Sequence, residues 1–202
     1  MYHRLLTITA LTFLAALAPA APVPDDRRPV LYFPVKKGTK WVYTNGTAEG
    51  RVVVLSAVES KGGTTVLTMV TQLPEGETAP YQKVKLSDAG VFSVELAGEP
   101  IDPPLCLLKL PVRNGLMWEE STPSGVLTTK CTATAFGPED VVVPAGRFRA
   151  IRVELEVDVA INGVKGAGPY RLKNWYAPGL GCVKQMSGDW TEELKSFTPG
   201  KD

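Results

Sequence analysis

The clearest pattern in the chain is the alternation between Arg149 and Ile161. Ile151, Val153, Leu155, Val157, Val159 and Ile161 are apolar, and Arg152, Glu154, Glu156 and Asp158 lie between them. A two-residue period places one set on a buried face and the other in water, so this is a β-strand. The following Asn162-Gly163 offers the positive φ of a tight hairpin turn. A second hairpin is expected where Arg51 to Glu59 and Thr64 to Leu73 flank Ser60-Lys61-Gly62-Gly63. Further strands are predicted at Lys40 to Thr44, Tyr81 to Leu86, Val91 to Leu96, Val126 to Phe136, Tyr170 to Tyr176, Cys182 to Met186 and Trp190 to Phe197. Hardly any segment has a helical period. Short strands at regular spacing, separated by Gly, Asn, Pro and Asp, predict an all-β antiparallel fold: a strongly curved sheet or an open barrel.

Two stretches echo one another. Phe33-Pro34-Val35-Lys36-Lys37-Gly38-Thr39-Lys40-Trp41 and Leu110-Pro111-Val112-Arg113-Asn114-Gly115-Leu116-Met117-Trp118 both read apolar-Pro-Val-basic-x-Gly-x-x-Trp. A weaker match follows in the same order, Pro80-Tyr81 and Gly90-Val91 against Pro169-Tyr170 and Gly179-Leu180. The expectation is an internal duplication, with halves at about 31–100 and 108–197, each opened by proline, glycine and tryptophan. The proline ends what precedes it, the glycine permits a crowded turn, and the tryptophan starts a strand with a large apolar side chain. Pro34, Gly38, Trp41, Pro111, Gly115 and Trp118 are therefore read as structural, as are Gly146 and Gly179.

The N-terminus has a different character. Arg4 precedes an apolar run from Leu5 to Leu17, and small residues follow at Ala18 and Ala20. This is the pattern of a secretory signal peptide, residues 1–21, cleaved after Ala20 or Ala21. The run is shorter than the roughly 20 apolar residues that cross a bilayer. Residues 22–202 are expected to form one exported β domain, periplasmic or extracellular, with no membrane span. Loss of Arg4 leaves 21 basic residues against 21 acidic ones. A neutral chain with no basic run has no electrostatic drive toward nucleic acid.

The composition removes several chemistries. The single histidine is His3, inside the leader, so Ser-His-Asp and Cys-His catalysis and histidine zinc sites are absent from the mature chain. Cys106, Cys131 and Cys182 show no CxxC spacing, and no metal or cofactor is expected. Export permits one disulfide with a spare thiol, and three buried free thiols are the alternative; the favoured pair is Cys131 with Cys182, because both lie in predicted strands. A carboxylate hydrolase would draw on Glu119, Glu120, Glu139, Asp140, Asp189, Glu192 and Glu193, but nothing in the sequence pairs them. No catalytic residue is assigned. The aromatic cluster Tyr170, Trp175, Tyr176 and Trp190 is the candidate ligand site, with Trp175 and Tyr176 on opposite faces of one strand.

Three separated motifs carry a family resemblance. Leu31-Tyr32-Phe33-Pro34 with Gly38 and Trp41-Val42-Tyr43, then Val143-Pro144-Ala145-Gly146-Arg147-Phe148, then Trp175-Tyr176-Ala177-Pro178-Gly179-Leu180-Gly181-Cys182-Val183-Lys184, resemble a group of exported bacterial β-rich proteins of unknown function. The resemblance spans most of the mature chain and brings no catalytic residues with it. By fold analogy the group is similar to the open barrels of periplasmic lipoprotein carriers. The function expected is non-enzymatic: binding of an apolar or amphipathic ligand inside the curved sheet. A protein-interaction or structural module of the cell envelope is the alternative.

Overall fold

A computed structural model describes residues 31–46, 50–124, 127–161, 164–166 and 168–201. The expected signal peptide and the Asn162-Gly163 turn lie outside these residues. Thirteen strands form one antiparallel sheet: β1 (Lys40–Thr44), β2 (Val52–Lys61), β3 (Thr64–Gln72), β4 (Thr78–Ser87), β5 (Gly90–Leu96), β6 (Glu99–Lys109), β7 (Met117–Ser124), β8 (Leu127–Val143), β9 (Gly146–Ile161), β10 (Val164–Lys165), β11 (Tyr170–Ala177), β12 (Gly181–Ser187) and β13 (Trp190–Thr198). The described residues contain no helix.

The strand order is β6-β5-β4-β3-β2-β1-β13-β12-β11-β9-β8-β7, with the short β10 paired to β9 alone. Two meanders are thus joined where β1 pairs with β13, Lys40 opposite Thr198 and Trp41 opposite Phe197. The sheet curls until its two free edges, β6 and β7, face each other. The result is a nearly closed barrel with one unsealed seam.

Side chains stitch this seam where the backbone ladder is missing. The Cys106 N–H donates to Glu120 Oε2 at 2.7 Å, and the Trp118 indole N–H donates to the Cys106 carbonyl at 3.2 Å. β6 carries Pro100, Pro103 and Pro104. Proline cannot donate to a ladder and is tolerated in a sheet at an edge, which is the position β6 occupies. Those prolines are also why β6 was not legible as a strand.

The alternation of β9 is borne out from Ile151 to Glu156, whereas Val157, Asp158 and Val159 are all half-buried. Ile151, Val153 and Leu155 are buried inside the barrel, and Arg152, Glu154 and Glu156 face outward. Trp41, Leu55, Leu67, Val84, Leu108, Val183 and Leu194 complete the densest part of the interior. β8 runs past the expected end at Phe136 because a bulge between Phe136 and Glu139 absorbs Gly137 and Pro138 and pairing then resumes to Val143.

The two echoed segments make the same three backbone bonds. Gly38 N–H donates to Leu55 O, Leu55 N–H to Thr39 O and Thr39 N–H to Lys36 O; Gly115, Ala135 and Leu116 repeat this with Ala135, Leu116 and Arg113. Gly38 has φ +83° and Gly115 φ +79°, a left-handed conformation that L side chains rarely adopt. Each tryptophan is the second residue of its strand, Trp41 facing Val53 and Trp118 facing Ala133. Both are buried, and both indole nitrogens are hydrogen-bonded, Trp41 to Leu180 O at 2.6 Å. Trp41→Ala and Trp118→Ala should each lower the stability of the domain by about 3 to 5 kcal/mol. Urea unfolding followed by far-ultraviolet circular dichroism measures this, and an unchanged midpoint would contradict the packing role.

Candidate functional site

Adjacent antiparallel strands run in opposite directions, so their turns divide between the two ends of the barrel. The end where β1 begins, the entry end, also holds the β2–β3, β4–β5, β8–β9 and β11–β12 turns and the connection from β6 to β7. The other turns lie at the far end.

The motifs that carry the family resemblance gather at the entry end. Gly179 N–H donates to Leu31 O at 2.7 Å, and Gly181 N–H donates to Tyr32 O at 2.6 Å. Phe33 packs on Tyr176 with ring centroids 6.3 Å apart, and a Cβ at Gly181 would fall 2.9 Å from the Phe33 ring. The Tyr43 hydroxyl donates to Cys182 O at 2.8 Å. In the second motif Ala145 N–H donates to Leu194 O on β13. Gly146 follows with φ +137°. These residues tie β1, β12, β13 and the β8–β9 turn together. Their observed contacts are those of a closure.

The four sequence-selected aromatics do not converge. Tyr170, 60% exposed, and Trp190, 44% exposed, stand at the far end. Tyr176 faces the interior. Trp175 faces outward and is nevertheless buried, because its indole donates to Glu139 Oε1 at 2.7 Å and the Lys184 ammonium lies 5.6 Å from its ring. Arg152 joins the same outer cluster through Glu139 and Glu154.

Two spaces among the described residues bear on binding. The smaller, about 240 Å³, lies inside the barrel between Trp41, Tyr43, Tyr81, Leu107 and Tyr176. Its polar residues are already bonded to one another. Gln82 donates to Ser93 at 3.0 Å, and Gln185 donates to Asn174 at 3.1 Å. Arg51 Nε donates to Glu192 Oε1 at 3.0 Å, and a second bond joins its Nη2 to Oε2. The guanidinium lies 4.4 Å from the centroid of the Tyr81 ring and 5.1 Å from that of Tyr43. Tyr81 is the extra residue of a bulge between β3 and β4, which aims its ring at Arg51. Burial alone pulls the Arg51 pKa down; the hydrogen bond to Glu192, with help from Tyr81, more than offsets this and holds it above its ordinary value.

The larger space, about 570 Å³, is a cleft at the entry end. Its floor is Leu86, Val91 and Tyr32, all buried. One wall comes from the β2–β3 turn through Gly63 and Thr65, and another from the β4–β5 turn through Ser87, Asp88 and Gly90. Leu110, Pro111 and Val112, between the two seam strands, close a third side, and Leu31, 53% exposed, stands at the rim. Of the residues given a role from the sequence only Pro111 lines it, although Leu31, Tyr32, Gly90, Val91, Leu110 and Val112 belong to the motifs and echoes quoted above. The signal was weak: Leu31, Leu110 and Val112 lie outside the strands, where alternation says nothing about facing.

Six of the seven carboxylates considered for hydrolysis are otherwise engaged, and the seventh, Asp189, is exposed in the β12–β13 turn. Glu120 holds the seam, Glu192 holds Arg51, Glu139 holds Arg152 and Trp175, and Glu119, Asp140 and Glu193 pair with Lys130, Arg147 and Lys184. The expected Cys131–Cys182 disulfide is not formed, and all three cysteines are free. The reason is topological. β9 and β11 lie between β8 and β12, so roughly 14 Å of sheet separates the two strands, whereas a disulfide needs Cα atoms within about 7 Å. Among the described residues no group of histidine, cysteine and acid side chains is arranged to hold a metal.

No protein-family model matches the chain, and no curated protein does. Among solved structures, a candidate lipoprotein of Parabacteroides distasonis ATCC 8503 is 16% identical and superimposes with a TM-score of 0.56, over 85% of this chain and 100% of that one. A candidate exported protein with a YmcC-like fold from Bacteroides fragilis NCTC 9343 is 14% identical, with a TM-score of 0.48 over 84% of this chain and 100% of that one. The first likeness establishes a shared fold.

Burial pushes the thiol of Cys106 up to about 12, that of Cys131 up to about 11 and that of Cys182 up to about 12. The thiolate is the reactive form, so the native protein should resist a disulfide-exchange reagent at pH 8 and yield three thiols after unfolding in urea. A raised thiol pKa stabilises the fold fully below the unfolded value near 9.0 and loses that contribution as the pH climbs toward 12. A rapidly reacting native thiol, or one thiol in urea, would contradict the structure. For the ion pair, Glu192→Ala should destabilise the domain by about 2 to 3 kcal/mol. That is below the roughly 3 to 5 kcal/mol of a fully buried orphaned charge, because Arg51 keeps a quarter of its side chain in contact with solvent. Glu192→Gln, which retains an acceptor, should cost less, and equal losses in the urea midpoint would sink this account.

Proposed function

We propose that the chain is an exported, non-enzymatic barrel that binds an apolar or amphipathic small molecule in the cleft at its entry end. The observation that carries this reading is the cleft itself. Its volume falls within the roughly 300–1,000 Å³ usual for small-molecule sites, and its floor is apolar. Each methylene that a ligand buries there contributes about 0.8 kcal/mol. The middle of the barrel is a poorer host, since its remaining space is smaller and its polar groups are bonded to each other. The signal-peptide pattern supports export, and the fold shared with a candidate lipoprotein fits a place outside the cytoplasm.

The test uses the mature chain beginning at Pro22 and the neutral fluorophore N-phenyl-1-naphthylamine. One saturable site is expected. Val112→Trp, which fills the cleft from a half-buried position, should weaken binding at least tenfold with little change in melting temperature. Tyr170→Ala and Trp190→Ala at the far end should leave the titration unchanged. A loss in those two with Val112→Trp unaffected would move the site to the far end, and no saturable binding would end the proposal.

A further inference from the structure

Resting on that reading, we infer that the cleft selects an amphiphile with an uncharged or cationic hydrogen-bonding head group, a hydroxyl or an ammonium, over one with a carboxylate or phosphate head. The first observation is Tyr32. Its ring belongs to the floor of the cleft and only 8% of the residue is exposed. Its backbone carbonyl is taken by Gly181, but no hydrogen bond joins its hydroxyl to any of the described residues. The hydroxyl is not sealed among protein atoms either, because no buried side-chain oxygen or nitrogen of the described residues is left unsatisfied. It therefore keeps some accessible surface, on a residue that lines the cleft. Burial raises its pKa, which keeps the phenol neutral. A neutral phenol in an apolar floor is a fixed hydrogen-bonding point for a ligand.

The second observation is the charge of the lining. Among the described residues Asp88, at the tip of the β4–β5 turn, is the one charged residue that lines the cleft, and no lysine or arginine does. An anionic head brought to this rim meets the Asp88 carboxylate and, among the described residues, no counter-charge, whereas an ammonium meets a partner. Asp88 is exposed, so water and salt weaken its field and the preference is modest. The Ser87 hydroxyl beside it makes only a long contact, 3.5 Å to Gly90 O, and remains available to a polyol head.

The experiment displaces N-phenyl-1-naphthylamine with three probes that share a ten-carbon tail: decylammonium, decyl glucoside and decanoate, at neutral pH and low salt. Decanoate should be the weakest competitor, by about fivefold against decylammonium. Asp88→Asn should reduce that ratio by roughly two- to fivefold, the range of an exposed charge pair. Tyr32→Phe should weaken decyl glucoside by roughly two- to tenfold, the worth of one hydrogen bond, while the fluorophore, which cannot exploit Tyr32 strongly, still binds. Decanoate competing as well as decylammonium, or a ratio unmoved by Asp88→Asn, would overturn the head-group inference and leave the cleft in place. Failure of the fluorophore to bind at all would instead remove the cleft reading, and this inference with it.

Discussion

The barrel depends on the pairing of β1 with β13. Antiparallel neighbours joined by short turns assemble from local contacts, and each six-strand meander on either side of this pair is of that kind. β1 and β13 come from opposite ends of the described chain, so their register of five residue pairs must close a very long loop. That entropic cost needs more than a ladder to offset it. Trp41 and Tyr43 on β1 reach past β13 to donate hydrogen bonds to the carbonyls of Leu180 and Cys182, and Arg51, just before β2, reaches Glu192 on β13. Without those contacts the two meanders would be separate curved sheets, each with an apolar face in water.

The same closure builds the entry end. Holding Leu31 and Tyr32 against Gly179 and Gly181 fixes the chain where it enters β1, and this leaves Tyr32 on the floor of the cleft with its carbonyl, but not its hydroxyl, engaged. The cleft is thus bounded on one side by the closure and on another by the connection between the seam strands. A site framed by elements fixed for other reasons is rigid without dedicated supports, which lowers the entropy lost when a ligand is ordered there.

Much of the fold was legible in the sequence and little of the site. β9 announced itself because one of its faces is uniformly apolar and the other charged. β6 did not: Pro100, Pro103 and Pro104 argue against a strand unless one knows it lies at an edge, and edge position is a property of the closed sheet. Trp175 shows the limit for aromatics. Alternation placed it on the face opposite Tyr176, as observed, but its burial comes from Glu139, Arg152 and Lys184 on neighbouring strands, and no local pattern encodes that cover. The cysteine pair failed for the same reason, since strand membership says nothing about how many strands intervene. Leu110, Pro111 and Val112 became cleft residues only when the β6–β7 connection was placed beside the β4–β5 turn.

That the cleft lies at an end, and not in the lumen, follows from how the barrel is filled. Twelve strands around one axis enclose more space than small side chains can occupy. Here Trp41, Tyr43, Trp118 and Tyr176 take up much of it, and each is a large apolar body with a polar tip. The tips of Trp41, Tyr43 and Trp118 bond to backbone carbonyls. Emptying the lumen for a ligand would break those bonds and expose these rings to water, at a few kcal/mol for each. At the entry end the same accounting runs the other way. The turn residues there are short, Gly63, Ser87, Gly90 and Pro111, so the apolar floor beneath them stays uncovered. A ligand settling on it displaces water and no protein contact, which is the cheaper route to burying that surface.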